Sequence, residues 1–311
     1  MKLGIIGLGR MGGAIAFRAV AMGHEVIGFD LSKENADQAR KEGVTMVGSI
    51  ADVAKEANVI WLMVPAGDPV DEVINELRTK LKAGDIIVDG GNSNYKDSIR
   101  RAESLAHDGI FFLDCGTSGG LYGRSYGFCL MVGGDHASYI KIHELLEAIS
   151  SPGGLAHVGP SGAGHYVKMV HNGIEYGILQ AYAEGFHLLH EGAFAKQLDL
   201  EQLSRIWNVN SVIRSFLLGL VHNVFEKDQK LESISGAVSE NGTGRWTLDE
   251  AREHNIEMPI LEASLKTREW SRTTGGNYTT KVIAMMRKEF GGHPLVTISK
   301  KSLGAGPVKG E

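Results

Sequence analysis

The chain has 311 residues, enough for two domains or one large one, and its 43% apolar content can fill a core. A formal net charge of −5 without any basic stripe argues against nucleic acid as a partner, and no segment offers the roughly 18 uninterrupted apolar residues of a membrane span. Two cysteines, Cys115 and Cys129, make no disulfide framework and suit a reducing cytosol, so a cytoplasmic protein is expected.

The apolar start, MKLGIIGLGRMGGAIAF, is broken by glycines and Arg10 and precedes no cleavage-site pattern, so it does not read as a signal peptide. LGIIG reads instead as a short strand and MGGAIAFRAVAMG as the helix after it. Strand patterns recur at EVIGFD, VIWLMV, DIIVDG, FFLDCG, FCLMVGG and LAHVG. Helical patterns fall between them at DEVINELRTKL, SNYKDSIRRAESLAHDG and HASYIKIHELLEAI. Such alternation predicts an α/β, Rossmann-type doubly wound and mostly parallel sheet. From Gly164 onward the periodicity is almost wholly helical, over 165–191, 200–227, 247–254, 259–272 and 278–290. Thr247 and Glu250 have capping-box spacing for the third of these, and Gly291 and Gly292 stop the last. The expected division is a sheet domain over 1–162 and an all-helical domain over 163–311, with a mobile tail after Leu303.

GLGRMG follows the first strand and opens the first helix. It comprises Gly7, Leu8, Gly9, Arg10, Met11 and Gly12 in the G-x-G-x-x-G pattern. Gly7 makes the tight turn, Gly9 lets the backbone approach a pyrophosphate, and Gly12 allows close helix–strand packing. The helix N-terminus supplies free N–H groups and positive dipole. Asp30 ends the next strand, where a carboxylate accepts from ribose hydroxyls and repels a 2′-phosphate. Leu31 adds no compensating cation, so NAD is favoured over NADP, while nearby Lys33 keeps NADP open as the weaker alternative.

Ligands of open parallel sheets bind beyond the carboxyl ends of strands. Three such ends are informative: Val64–Pro65–Ala66, Asn92 with Ser93 placed to cap the next helix, and Ser118–Gly119–Gly120, whose N–H groups suit a carboxylate. Each also reads as an ordinary tight turn. GHYVKMVHNGIEYG, at 164–177, is less ordinary. At about 100° per residue, Lys168, His171, Asn172, Glu175 and Tyr176 share an arc of roughly 140°, opposite Val170, Gly173, Ile174 and Gly177. One base, acid, amide, imidazole and phenol on one face differ from the repeated Glu–Lys pairs of a solvated face. A plain surface helix with a Lys168–Glu175 pair is the competing reading.

In order and spacing, GLGRMG, VDGGNS (88–93), SGG (118–120), GHYVKMVHNGIEYG, GTGRWT (242–247) and RKEFGGH (287–293) resemble the 6-phosphogluconate dehydrogenase family in its shorter form. The resemblance implies oxidation of 6-phosphogluconate at C3, loss of CO2 and formation of ribulose 5-phosphate, a step of the pentose phosphate pathway, without a metal. It implies Lys168 as general base, Glu175 as the acid that protonates carbon, and Asn172 as a positioning amide. A lysine serves as base only where its pKa is held down, to about 7–8 in tuned cases. Asn92, Ser118, Gly119, Gly120, His171, Tyr176 and Arg268 are implied substrate contacts. Arg287 and His293 match a pair that reaches the site from the neighbouring subunit in longer relatives, which implies a homodimer or a dimer of dimers. Longer members carry Lys where this chain has Asn241, which removes one candidate phosphate contact; either Arg245 compensates or the site tolerates a different substrate. A 3-hydroxyisobutyrate-type dehydrogenase and a non-catalytic NAD(H)-binding sensor are the rivals. His187-x-x-His190-Glu191 reads as exposed helix histidines rather than metal ligands, and Cys115 as a buried strand residue.

Overall fold

The computed structural model describes residues 1–296, so the tail after Leu303 lies outside the described residues. Two compact units divide between His171 and Asn172. Unit one runs β1 (Lys2–Ile6), α1 (Arg10–Ala21), β2 (Glu25–Phe29), α2 (Lys33–Lys41), β3 (Thr45–Met46), α3 (Ile50–Glu56), β4 (Val59–Leu62), α4 (Asp68–Arg78), β5 (Ile86–Asp89) and α5 (Tyr95–Ala106). It continues through β6 (Phe111–Ser118), α6 (Gly123–Tyr126), β7 (Phe128–Gly134), α7 (His136–Lys141), α8 (His143–Ile149) and β8 (Ser150–Gly159). Among the described residues the strands form one eight-stranded sheet, ordered β3-β2-β1-β4-β5-β6-β7-β8, parallel except where β6 meets β7. The expected doubly wound, mostly parallel sheet is therefore found.

Both sheet faces are covered, which explains the unbroken apolar runs of the strands. Leu3, Ile5, Val59, Trp61, Ile86 and Val88 pack on one side. Ile6, Ile60, Leu62 and Ile87, at the intervening positions, pack on the other. Cys115 is buried within the first cluster, and burial raises its thiol pKa, as suits an inert strand residue. The pair α2 and α3 was not expected from the hydrophobic pattern. Their N-caps, Ser32 and Ser49, accept from Asn35 and Asp52 amides.

One long helix, α9 (Ala163–Glu191), spans the division. Unit two continues with α10 (Leu200–Trp207), α11 (Phe216–Lys227), α12 (Thr243–Glu253), α13 (Pro259–Thr274) and α14 (Tyr278–Gly291). Its core joins Leu179, Ala183 and Phe186 of α9 to Val221 and Phe225 of α11 and Val282 and Met286 of α14. Two expectations are corrected here. The segment 200–227 is two helices, because Asn210 adopts a positive φ and Ser215 caps α11 through Leu218 N–H. Thr247 does not open a helix: α12 begins at Thr243, and the Thr247 hydroxyl donates to the Thr243 carbonyl inside it. Gly292, in the left-handed region, ends α14 as expected. His187 and His190 pack on α14, through the Thr279 hydroxyl and a stacked Tyr278 ring. No group of residues able to hold a metal occurs among the described residues, and no described helix is long and apolar enough to cross a membrane.

Candidate functional site

In unit one the Gly-rich turn joins β1 to α1. Gly7 has φ +90° and lies against the Met63 carbonyl, while a Cβ at Gly12 would collide with the Gly7 carbonyl. A Cβ at Gly9 would meet nothing within 4 Å, so this residue faces open space at the N-terminus of α1. No side chain caps that terminus. An uncapped helix start beside an open glycine fits a pyrophosphate. Leu8 is buried, with its N–H 2.6 Å from Asp30 Oδ2. Asp30 also accepts from Ser32 N–H at 2.7 Å. The carboxylate therefore holds the glycine turn to the end of β2, besides standing where a ribose is expected. Leu31 is 94% exposed, and Lys33 is paired with Asp37 rather than left to face Asp30. Arg10 is exposed and Met11 half-buried on the first turn of α1.

Val64, Pro65 and Ala66 form the loop after β4, with the latter two exposed. Asn92 lies in the turn after β5, held from both sides by buried Asp89. Asp89 accepts from Gly91 N–H at 3.0 Å and from the Ser93 hydroxyl at 2.7 Å. Ser93 thus braces the turn and does not cap α5, a role taken by Asn94. Buried Arg101 ties the two loops together through Gly67 carbonyl at 3.0 Å, Ser93 hydroxyl at 3.4 Å and both Asp71 oxygens. The Arg101 hydrogen bonds hold the Asp71 carboxyl down to about 2. Its stabilisation is complete above the ordinary carboxylate pKa near 3.8 and disappears as pH falls through about 2. Asp71→Asn should therefore destabilise the protein by on the order of 1–2 kcal/mol at neutral pH, and by progressively less below pH 4. Urea denaturation across this range checks it, and a pH-independent difference would contradict the pairing.

Ser118 ends β6 and Gly119 and Gly120 follow it, all half-buried. The Ser118 hydroxyl lies 3.2 Å from His171 Nε2, and His171 Nδ1 lies 3.4 Å from Lys168 Nζ. The structure so brings together three of the expected residues in one line, Lys168–His171–Ser118.

In unit two, Asn172 and Tyr176 are buried and Glu175 is half-buried. Ile174, opposite them, is 57% exposed. The chemically varied face of α9 is thus largely covered, contrary to a surface helix that shows its charges to water. Gly173 packs against Thr247 and Gly177 against Ile260, a close approach that the absent side chains allow. Asn172 Nδ2 lies 3.4 Å from the Thr243 hydroxyl, and the Tyr176 hydroxyl lies 3.4 Å from Asn241 Oδ1, which accepts from the Thr243 hydroxyl at 2.8 Å. Thr243 was not anticipated from the sequence. Its signal, GTGRWT, was visible, but placing the helix start at Thr247 hid that Thr243 opens α12.

Arg268 is fully buried, and none of its three guanidinium nitrogens has a hydrogen-bond partner. Its Cζ sits 3.4 Å from the centroid of the Tyr176 ring. Burial, with a smaller contribution from neighbouring Arg287, pushes its pKa down to about 10, while Tyr176, Glu175 and Glu240 oppose the shift. Arg287 is buried as well and donates to the Ser239 hydroxyl at 3.3 Å. His293 lies past the end of α14, its ring edge-on to Phe290. Arg245 instead pairs with Glu240 and Glu269 on the surface, which removes it as the replacement for the missing lysine. Two buried cations beside a phenol, with no carboxylate bonded to Arg268, are what a multiply charged anion requires.

Residues 2–162 match the family described as the NAD binding domain of 6-phosphogluconate dehydrogenase, and residues 164–301 match its C-terminal domain. A Haloferax volcanii protein named NAD(+)-dependent, decarboxylating 6-phosphogluconate dehydrogenase is 44% identical over 300 residues, covering 95% of this chain and 98% of the relative. A decarboxylating 6-phosphogluconate dehydrogenase of Synechocystis is 35% identical over 286 residues, covering 85% of this chain and 59% of that longer relative. Among solved structures, Plasmodium falciparum 6-phosphogluconate dehydrogenase has a TM-score of 0.80 at 29% identity, over 88% of this chain and 62% of that one. Mycobacterium tuberculosis 3-hydroxyisobutyrate dehydrogenase has a TM-score of 0.72 at 21% identity, over 90% of this chain and 97% of that one, a likeness of fold.

Proposed function

This chain belongs to the 6-phosphogluconate dehydrogenase family, and from that premise we propose that it oxidises 6-phospho-D-gluconate to D-ribulose 5-phosphate and CO2. NAD is the preferred cofactor, and the division of labour follows a dinucleotide-binding domain over 1–162 and a helical domain over 163–311. The observation that carries the reading is Arg268, buried and without a hydrogen-bond partner against Tyr176. A phosphate supplies the charge and the acceptors that this guanidinium lacks. A small hydroxy acid of the 3-hydroxyisobutyrate type would leave it unmatched, and a non-catalytic sensor gives no reason for the Lys168–His171–Ser118 line.

Lys168 accepts the proton of the C3 hydroxyl. Bound NAD supplies the acceptor for the hydride leaving C3. The C3 ketone is β to the carboxylate, so it takes up the electron pair of the breaking carbon–carbon bond as CO2 departs. Lys168 returns its proton to the developing enolate oxygen, and an enediol results. Glu175 then protonates the carbon that carried CO2 while Lys168 takes the proton of the C3-derived hydroxyl. The hydroxyl proton has in effect replaced CO2, so the reaction neither consumes nor releases a net proton. Lys168 ends with one proton more and Glu175 with one fewer, and His171, 3.4 Å from Nζ, offers a first acceptor for resetting the pair. Incubation with 6-phosphogluconate and either nucleotide, following cofactor absorbance and CO2, tests the reading; turnover of 3-hydroxyisobutyrate alone would replace it with the rival.

Asp30 with exposed Leu31 supports NAD. Asp30→Asn with Leu31→Arg should move the kcat/KM ratio toward NADP by at least about tenfold, through lost repulsion and a new guanidinium. Because Asp30 also holds the Leu8 amide, kcat/KM with NAD should fall in the same variant. A higher kcat/KM with NADP in the unmodified enzyme would refute the preference.

Exposed apolar side chains on unit two, among them Ile174, Leu188 and Ile260, support a homodimer or dimer of dimers. The grouping of Arg287 with Ser239, two residues before Asn241, supports a phosphate site completed by the chain's own Arg287. Mixed Lys168→Met and Arg287→Ala chains should then recover no activity. A return of roughly a quarter of wild-type activity, after verified exchange into random dimers, would instead place Arg287 across the interface.

A further inference from the structure

Successive side chains of a strand point to opposite faces, so Asp114, Gly116 and Ser118 of β6 share one face. Each meets the start of α9 in turn. Asp114 is fully buried, and its two oxygens accept from Gly162 N–H at 2.7 Å and His165 N–H at 2.8 Å. The first N–H groups of a helix lack partners within it, and a carboxylate there gains from the dipole as well. Two residues along, a Cβ on Gly116 would lie 2.5 Å from Lys168 Cβ and 2.7 Å from the Gly164 carbonyl oxygen. Two residues further, Ser118 meets His171. Strand positions 114, 116 and 118 are thus matched to helix positions 165, 168 and 171, three residues at a time.

We infer that Asp114 and Gly116 are positioning residues for Lys168, fixing the register of α9 on β6 so that the Lys168 amine meets the C3 hydroxyl. A lysine side chain has four rotatable bonds, and the contact with His171 constrains only its tip. Its root is set by how closely α9 approaches the strand, which the absent side chain of Gly116 determines. Sliding along the strand is opposed at the other end by Asp114, whose two bonds require both amides at once. A helix capped by its own preceding residue would satisfy the same N–H groups without tying them to the strand that ends in the Ser118 turn.

The inference rests on the activity proposed above, and the test separates the two. Gly116→Ala adds one methyl group under Lys168, and Asp114→Asn keeps the side-chain shape but replaces one acceptor with a donor. Asp135→Asn, which weakens the analogous cap of α7 away from Lys168, is the control. In the full-length enzyme, kcat of the first two variants should fall by about 10- to 100-fold, as a displacement near 1 Å of a reacting group predicts. KM for NAD should stay within about twofold. The deuterium isotope effect on kcat with substrate labelled at C3 should rise, because the step at C3 becomes limiting. The control should lose thermal stability while keeping kcat and isotope effect. Wild-type kcat and isotope effect in Asp114→Asn and in Gly116→Ala would overturn the inference, whatever their melting temperatures. Should the wild type not turn over 6-phosphogluconate, that overturns the proposed activity alone. The rate at which acetic anhydride labels Lys168, read by mass spectrometry, then decides: a changed rate in either variant sustains the positioning role, and unchanged rates in both remove it. If Gly116→Ala does not fold, Asp114→Asn alone tests the positioning role by the same two readouts.

Discussion

Lys168→Met should all but abolish turnover while NAD binding stays close to normal. Methionine keeps the length and the packing of the lysine stem but cannot take a proton, and Lys168 is asked to move a proton three times in each cycle. The residue lies on α9 and is no part of the Gly-rich turn or of Asp30, so the cofactor contacts proposed at 7–12 and 30 remain. Glu175→Gln should be less severe, about 10²–10⁴-fold in kcat, the usual worth of one positioned acid. Its effect should fall on the last step, so a Glu175→Gln enzyme should still form NADH in a first turnover faster than it cycles. Rapid-quench measurement of NADH against steady-state kcat checks this. Near-wild-type cycling by either variant would sink the assignment of base and acid.

Much of this arrangement is legible in the sequence because its signals are local. G-x-G-x-x-G after an apolar strand, and an acid at the end of the next strand, follow from backbone geometry and are found as expected. The contents of GHYVKMVHNGIEYG identify the helix, but not which face is covered. Helical periodicity marks two faces without saying which packs inward, and here Asn172 and Tyr176 are buried while Ile174 is exposed. Where side chains compete with the backbone, the pattern misleads. Asn208 and Ser215 break a run whose apolar periodicity reads as one helix from 200 to 227, the Asn208 side chain accepting from Ser215 N–H at 3.1 Å. Thr247 mimics a cap although its hydroxyl is spent inside α12, which is why Thr243 escaped notice. Asp114 carries no signal at all: it is an acid within an apolar strand, and its partners at 162 and 165 lie about fifty residues away. Pairings of that range are decided by the sheet order and by glycines 116 and 164, not by any neighbouring residue.

Arg268→Met should make the ligand-free protein more stable and nearly useless toward a phosphorylated substrate. The guanidinium is fully buried with no hydrogen-bond partner, and only the Tyr176 ring, at 3.4 Å, and nearby charges offset its loss of hydration. A stacked cation recovers about 2 kcal/mol when desolvated, whereas the effective penalty of burying an ion is several. Methionine fills a similar volume without charge, so thermal unfolding should move up, by on the order of 1–3 kcal/mol in stability. The sign with pH follows from the lowered pKa: burial disfavours the charged form, so the cost persists at all pH below about 10 and lessens only as pH rises through it. The gain from Arg268→Met should therefore be constant between pH 6 and 9. Binding should run the other way. Charge-assisted bonds are worth about 1.5–3 kcal/mol each, so losing a bidentate pair should raise KM for 6-phosphogluconate by roughly 10²–10⁴-fold. Inorganic phosphate or sulfate, which should raise the melting temperature of the wild type by pairing with Arg268, should do so far less in the variant. A variant that is less stable without ligand would mean that Arg268 is held by structural contacts, and one that keeps its KM would remove Arg268 from the phosphate site.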